Sequence, residues 1–191
     1  MAAITVALAV AAGASPNPEG YTDWSSIVVT LVSTIVIVGL FEELGWRGFA
    51  LPRLQRRQPA LRAALLLGAI WALWHLPELI SDPTGQRPPV QFVVGILAQS
   101  VVLAWLYNST NASLPIVILF HATLNTAGRF ILPGFVDGYY QLAWWIMTAI
   151  YVLIAVVVTT LGGPGRLVTT IPRNKYTTRH PQPTADGHIP R

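Results

Sequence analysis

From Trp24 to Leu40 the chain carries no charged residue, and directly after it Glu42, Glu43 and Arg47 fall within the stretch Phe41 to Phe49. An uncharged run of this length reads as a membrane helix. In lipid the backbone must satisfy its own hydrogen bonds, which restricts such a chain to helices. Four further apolar runs follow, Leu61 to Ile80, Val90 to Tyr107, Leu114 to Ile131 and Tyr139 to Leu161, while Ala2 to Ala14 is apolar but only half a span long. The expectation is an all-α fold, a polytopic transmembrane helical bundle of about five to six spans. The composition agrees: 10% of residues are charged, against about 25% in a soluble domain. With no cysteine, disulfides, thiolate metal sites and cysteine nucleophiles are excluded.

The organisation read from these runs has three parts. Residues 1–23 form a partial N-terminal helix and a polar linker, 24–161 the transmembrane domain with a motif core at about 41–126, and 162–191 a basic, Pro-rich tail read as disordered. Pro52 is expected to stop the first helix, because it lacks an N–H and its ring opposes continuation. Pro77 and the Ser81 to Gly85 turn signal end the second, and Asn108 to Ser113 reads as a helix–helix turn. The loop at 53–62 and the tail carry Arg53, Arg56, Arg57, Arg62, Arg166, Arg173, Lys175, Arg179 and Arg191, whereas the opposite side has only Arg87 and Arg129. The positive-inside rule then predicts a multi-pass protein of the cell membrane with its C-terminus in the cytoplasm. Its expected partner is the bilayer, with no nucleic acid.

Charge inside a membrane helix is costly and marks a functional site by default. Glu43 and Arg47, four apart, share a helix face and can neutralise each other. Glu42 points about 100° away, which leaves one carboxylate braced and one free. The other strongly polar residues of the spans are His75, and His121 with Asn125 four residues on. At about 1.5 Å of rise per residue, Glu42 lies ~16 Å from Arg53 and His75 ~19 Å from Arg62. On the same rise His121 and Asn125 lie ~12 and ~18 Å from Ser113, so all four reach similar depth around a small wet cavity. Taken singly, the charged cluster has an alternative reading as an ion-pair lock, and a lone membrane histidine or asparagine as helix packing. Trp71, Trp74, Trp144 and Trp145 read as packing or interface-belt residues, and Glu78 as interfacial.

A carboxylate and an imidazole can hold a water and take its proton as it attacks a carbonyl. A second imidazole and an amide NH2 can donate hydrogen bonds to the resulting oxyanion. Alternatively Glu42, His75 and His121 could ligate a divalent metal such as zinc, although the HExxH signature is absent. Either chemistry points to hydrolysis of a peptide bond at membrane depth.

The pattern Glu42-Glu43-x-x-x-Arg47, then His75, then His121-x-x-x-Asn125 resembles the CPBP family of intramembrane proteases. That family includes the type II CaaX prenyl endopeptidases and bacterial Abi-type proteins linked to bacteriocin immunity. Its usual motifs, EExxxR, FxxxH and HxxxN, come in that order on successive helices, and the resemblance covers roughly residues 24–130. Trp71 stands in place of the phenylalanine, a change expected to matter little because the position stays aromatic. The N-terminal part is shorter than in family members, consistent with a missing helix.

The resemblance implies that Glu42 with His75 activates the water, that His121 with Asn125 stabilises the oxyanion, and that Glu43 and Arg47 support the site. It implies membrane-anchored or CaaX-like peptides, bacteriocin precursors or other membrane proteins as substrates. The family is often labelled metallo-dependent, while water activation by Glu42 and His75 needs no metal, and both stand at this stage. Two other functions remain: a non-enzymatic scaffold or self-immunity factor on the same fold, and a proton-coupled carrier, disfavoured by the lack of an internal repeat.

Overall fold

The apolar runs become helices whose outward faces stay apolar, with Val29, Phe41, Leu73, Val90 and Leu161 all exposed. Lipid tails are as apolar as these side chains, so such a surface suits a bundle in a bilayer. The computed structural model describes residues 2–14, 24–81, 88–135 and 140–169. Its helices are α1 (Ala2–Ala11), α2 (Trp24–Ile37), α3 (Leu51–Gln55), α4 (Ala60–Trp74), α5 (Leu76–Ile80), α6 (Pro89–Ser109), α7 (Leu114–Phe135) and α8 (Tyr140–Gly162), with no strand among the described residues. The chain is thus an all-α membrane bundle. Ser25–Gln55, Pro89–Ser109 and Gln141–Gly162 are long and apolar enough to cross a bilayer, and α4 is a shorter apolar helix.

Two boundaries differ from expectation. Pro52 does not stop the first helix: α2 runs on through π-helical turns at Val38–Glu43 and Trp46–Ala50 into α3, which ends at Gln55. Pro52 falls in the first turn of α3, the one place in a helix where a missing N–H is tolerated. The second run is broken rather than continuous. His75 stays right-handed but opens to ψ 0° (φ −86°), and α5 restarts with Pro77 in its first turn. This sparsely allowed backbone region often hosts active-site residues.

Helix α6 lies between α4 and α8, and α7 packs against α2 and the first π-helical turn. Gly68 makes the closest approach of α4 to α6. A Cβ there would lie 2.9 Å from the Ser100 Cβ and 3.3 Å from the Leu97 Cα. Ser100 Oγ donates to the Ala64 carbonyl at 2.8 Å and ties the same two helices.

The reading of 162–191 as disordered is corrected over its first residues. Gly163 to Thr169 fold back on the bundle, with Leu167 fully buried in the core beside Leu51, Ala63 and Leu67. The amides of Ala60 and Leu61 donate to the carbonyls of Gly165 (3.1 Å) and Pro164 (3.0 Å). This loop therefore satisfies the first amides of α4, which no residue of their own helix can bond. Asn108 Nδ2 adds a bond to the Arg166 carbonyl at 2.9 Å. The expected turn at 108–113 is present, with Asn111 and Ala112 in the left-handed region (φ 53° and 62°). Residues 15–23, the turn signal after Ser81 and the tail from 170 lie outside the described residues.

Candidate active site

The first π-helical turn explains how two consecutive glutamates both face inward. Its i→i+5 bonding winds more residues into each turn, so neighbouring side chains diverge by less than in an α-helix. Glu42 and Glu43 are 7% and 0% exposed. Their partners differ. Glu43 Oε1 accepts a bond from Arg47 Nη1 at 2.7 Å, the pairing expected from their spacing, and lies 2.7 Å from His121 Nδ1. The Arg47 guanidinium also stacks over the Trp71 ring, 4.7 Å from its centroid. Glu42 Oε2 accepts a bond from the Trp71 indole N–H at 3.0 Å.

Trp71 packs in the core, as expected of it, but it also bonds to the site in a way the sequence did not announce. It is buried (3% exposed), and besides binding Glu42 it offers its carbonyl oxygen to His75 Nδ1 at 3.0 Å. Its ring stands edge-on to His75 and His121, with centroids 5.7 and 5.1 Å apart. Among the described residues Glu42 and His75 share no direct hydrogen bond; they meet through Trp71. The substitution of tryptophan for phenylalanine therefore adds a donor that a phenyl ring lacks.

These bonds fix the histidines. A carbonyl oxygen only accepts, so His75 Nδ1 carries the proton and the Nε2 edge is left for substrate. His121 is oriented likewise by the Glu43 carboxylate. Glu42, His75, His121 and Asn125 all line one cavity of about 750 Å3. Glu43 and Arg47 do not line it and sit fully buried behind. Trp74, Phe92, Trp144 and Tyr151 give it aromatic walls, and Glu78, expected only at the interface, lies on its rim.

Two amides of α6 went unnoticed in the sequence. Gln91 and Gln99 line the same cavity, and Gln91 Nε2 donates to the Trp144 carbonyl (3.3 Å) and to Thr148 Oγ1, clipping α6 to α8. Their separation by eight residues in an apolar run places them on one helix face, which was the available signal.

As arranged, these side chains do not fit a metal centre. Among the described residues no three of His, Cys, Asp and Glu stand close enough to share an ion.

The CAAX prenyl protease 2 of Methanococcus maripaludis is 29% identical over 115 residues, which cover 56% of this chain and 42% of that relative. The chain thus spans less than half the length of the relative it matches. The family model described as "Type II CAAX prenyl endopeptidase Rce1-like" matches residues 24–127, a stretch that holds both glutamates, Arg47, Trp71, His75, His121 and Asn125. With more than half of its residues matched, the chain belongs to the Rce1-like family of type II CAAX prenyl endopeptidases.

Proposed function

We propose that the chain is an intramembrane endopeptidase that hydrolyses a peptide bond of a membrane-anchored or CaaX-like substrate, using a water activated by Glu42 and His75. The observation that carries this reading is the shared cavity, where one carboxylate, two imidazoles and an amide converge between aromatic walls. With Oε2 bonded to Trp71, Glu42 has Oε1 left to accept a proton from the water. His75, donating through Nδ1, offers the lone pair of Nε2 to the same water.

As the water oxygen attacks the carbonyl carbon, its proton passes to Glu42 and the carbonyl oxygen becomes an oxyanion. Asn125 donates to that oxyanion through its amide NH2. His121, held with its Nδ1 2.7 Å from Glu43 Oε1, is the second oxyanion stabiliser through its Nε2 edge. When the intermediate collapses, the C–N bond breaks and Glu42 returns the proton to the leaving amine. Glu43 and Arg47 hold His121 and take no part in the bond changes.

The aromatic walls suit an apolar or lipid-bearing peptide, in keeping with the name of the Methanococcus relative. The arginines at 53–62 and Arg166 orient that end of the bundle toward the cytoplasm. The test is cleavage of membrane-anchored peptides, a prenylated CaaX peptide among them, by purified protein in detergent with and without a chelator. Glu42→Gln is expected to lower the rate by roughly 10²–10⁴-fold, the contribution of a general base, with the unfolding temperature unchanged. The chelator is expected to have no effect. A Glu42→Gln enzyme cleaving at the wild-type rate would sink the proposal.

A further inference from the structure

We infer that Trp71 is a positioning residue that fixes which oxygen of Glu42 meets the water; the inference rests on the protease reading above. Glu42 is buried and forms no ion pair among the described residues, and its hydrogen bond there comes from the Trp71 indole. A glutamate has three torsions and a carboxylate with two equivalent oxygens, so burial alone does not set its angle. The indole does. It is a flat group with two torsions, clamped between the Arg47 guanidinium on its face and the rings of His75 and His121 at the edges. Its N–H is therefore fixed in space, and the carboxylate pivots until Oε2 meets it.

The same residue holds the second water-binding group. The Trp71 carbonyl accepts a hydrogen bond from the Nδ1–H of His75, one turn further along where α4 breaks. Side chain and main chain of a single residue thus aim both acceptors of the water. A phenylalanine here keeps the carbonyl, and with it His75, but has no N–H for Glu42. In this chain the tryptophan has a task that the aromatic ring alone cannot perform.

Purified Trp71→Phe is compared with wild type and with Trp145→Phe, whose tryptophan is exposed on α8 and outside the cavity. Trp71→Phe is expected to lower kcat by roughly ten- to a hundredfold, the effect of losing a hydrogen bond to a charged group. KM should stay near wild type while the unfolding temperature falls, as expected when a buried ring shrinks and Glu42 loses its donor, and Trp145→Phe should cleave normally. A second readout needs no catalysis and no folded Trp71→Phe: in isotope-labelled protein with its indole resonances assigned directly, the Trp71 N–H signal should move upfield in Glu42→Ala. If Trp71→Phe fails to fold, that resonance decides alone, and one that stays in place overturns the inference. Wild-type kcat in Trp71→Phe overturns it while leaving the protease reading intact. A wild-type protein that cleaves none of the peptides removes the protease reading, and this inference with it.

Discussion

One oxygen of Glu43 serves both Arg47 and His121, and all three side chains are shut away from solvent. Removing one member of a buried ion pair leaves the other uncompensated, which costs about 3–5 kcal/mol. Arg47→Ala is accordingly expected to unfold at markedly lower temperature in detergent and to express poorly. Replacing both charges, Glu43→Leu with Arg47→Met, should restore much of that stability, since apolar groups of similar volume often substitute for a buried pair. The double variant should still fail to cleave, because His121 has lost the acceptor on Nδ1. Full activity in it would detach Glu43 from the site. The Glu43–Arg47 bond was legible in the sequence because it lies within one helix at a spacing of four. The role of Trp71 was not, because its bond to Glu42 joins two helices across 29 residues and leaves no local pattern.

Between elements, the contact that sets the site is the passage of α4 over α6 at Gly68. A single added methyl would press on Ser100 and on the Leu97 backbone, which cannot swing aside as a side-chain tip can. Gly68→Ala is expected to cost about 1–3 kcal/mol, as overpacking does. It should also slow cleavage, although it touches no catalytic group, because Trp71 and His75 ride on the same helix. A variant with wild-type unfolding temperature and rate would show that α4 has slack. Helix positions were readable from the apolar runs, since lipid leaves the backbone no other choice. The interruptions were harder. The π-helical turns have no composition of their own, and Pro52, a breaker by local rules, falls where the ladder restarts.

For the whole molecule, the absence of cysteine turns orientation into a clean measurement. A single cysteine replacing Arg57 is expected to react with an impermeant maleimide only from the cytoplasmic face, and one replacing Val90 only from the other. The reverse pattern would invert the assignment drawn from the arginines. The cavity itself was legible from depth: a constant rise per residue brought Glu42, His75, His121 and Asn125 to similar levels on three helices. The return of Gly163–Thr169 was not, because a polar, proline-rich composition says nothing about the carbonyls it presents. Those carbonyls have a consequence for biosynthesis. Pro164 and Gly165 leave the ribosome after α8, long after the helix whose first amides they bond. The first amides of α4 are thus closed by partners made only after α8, so that end of the helix is finished by residues far from it in the chain.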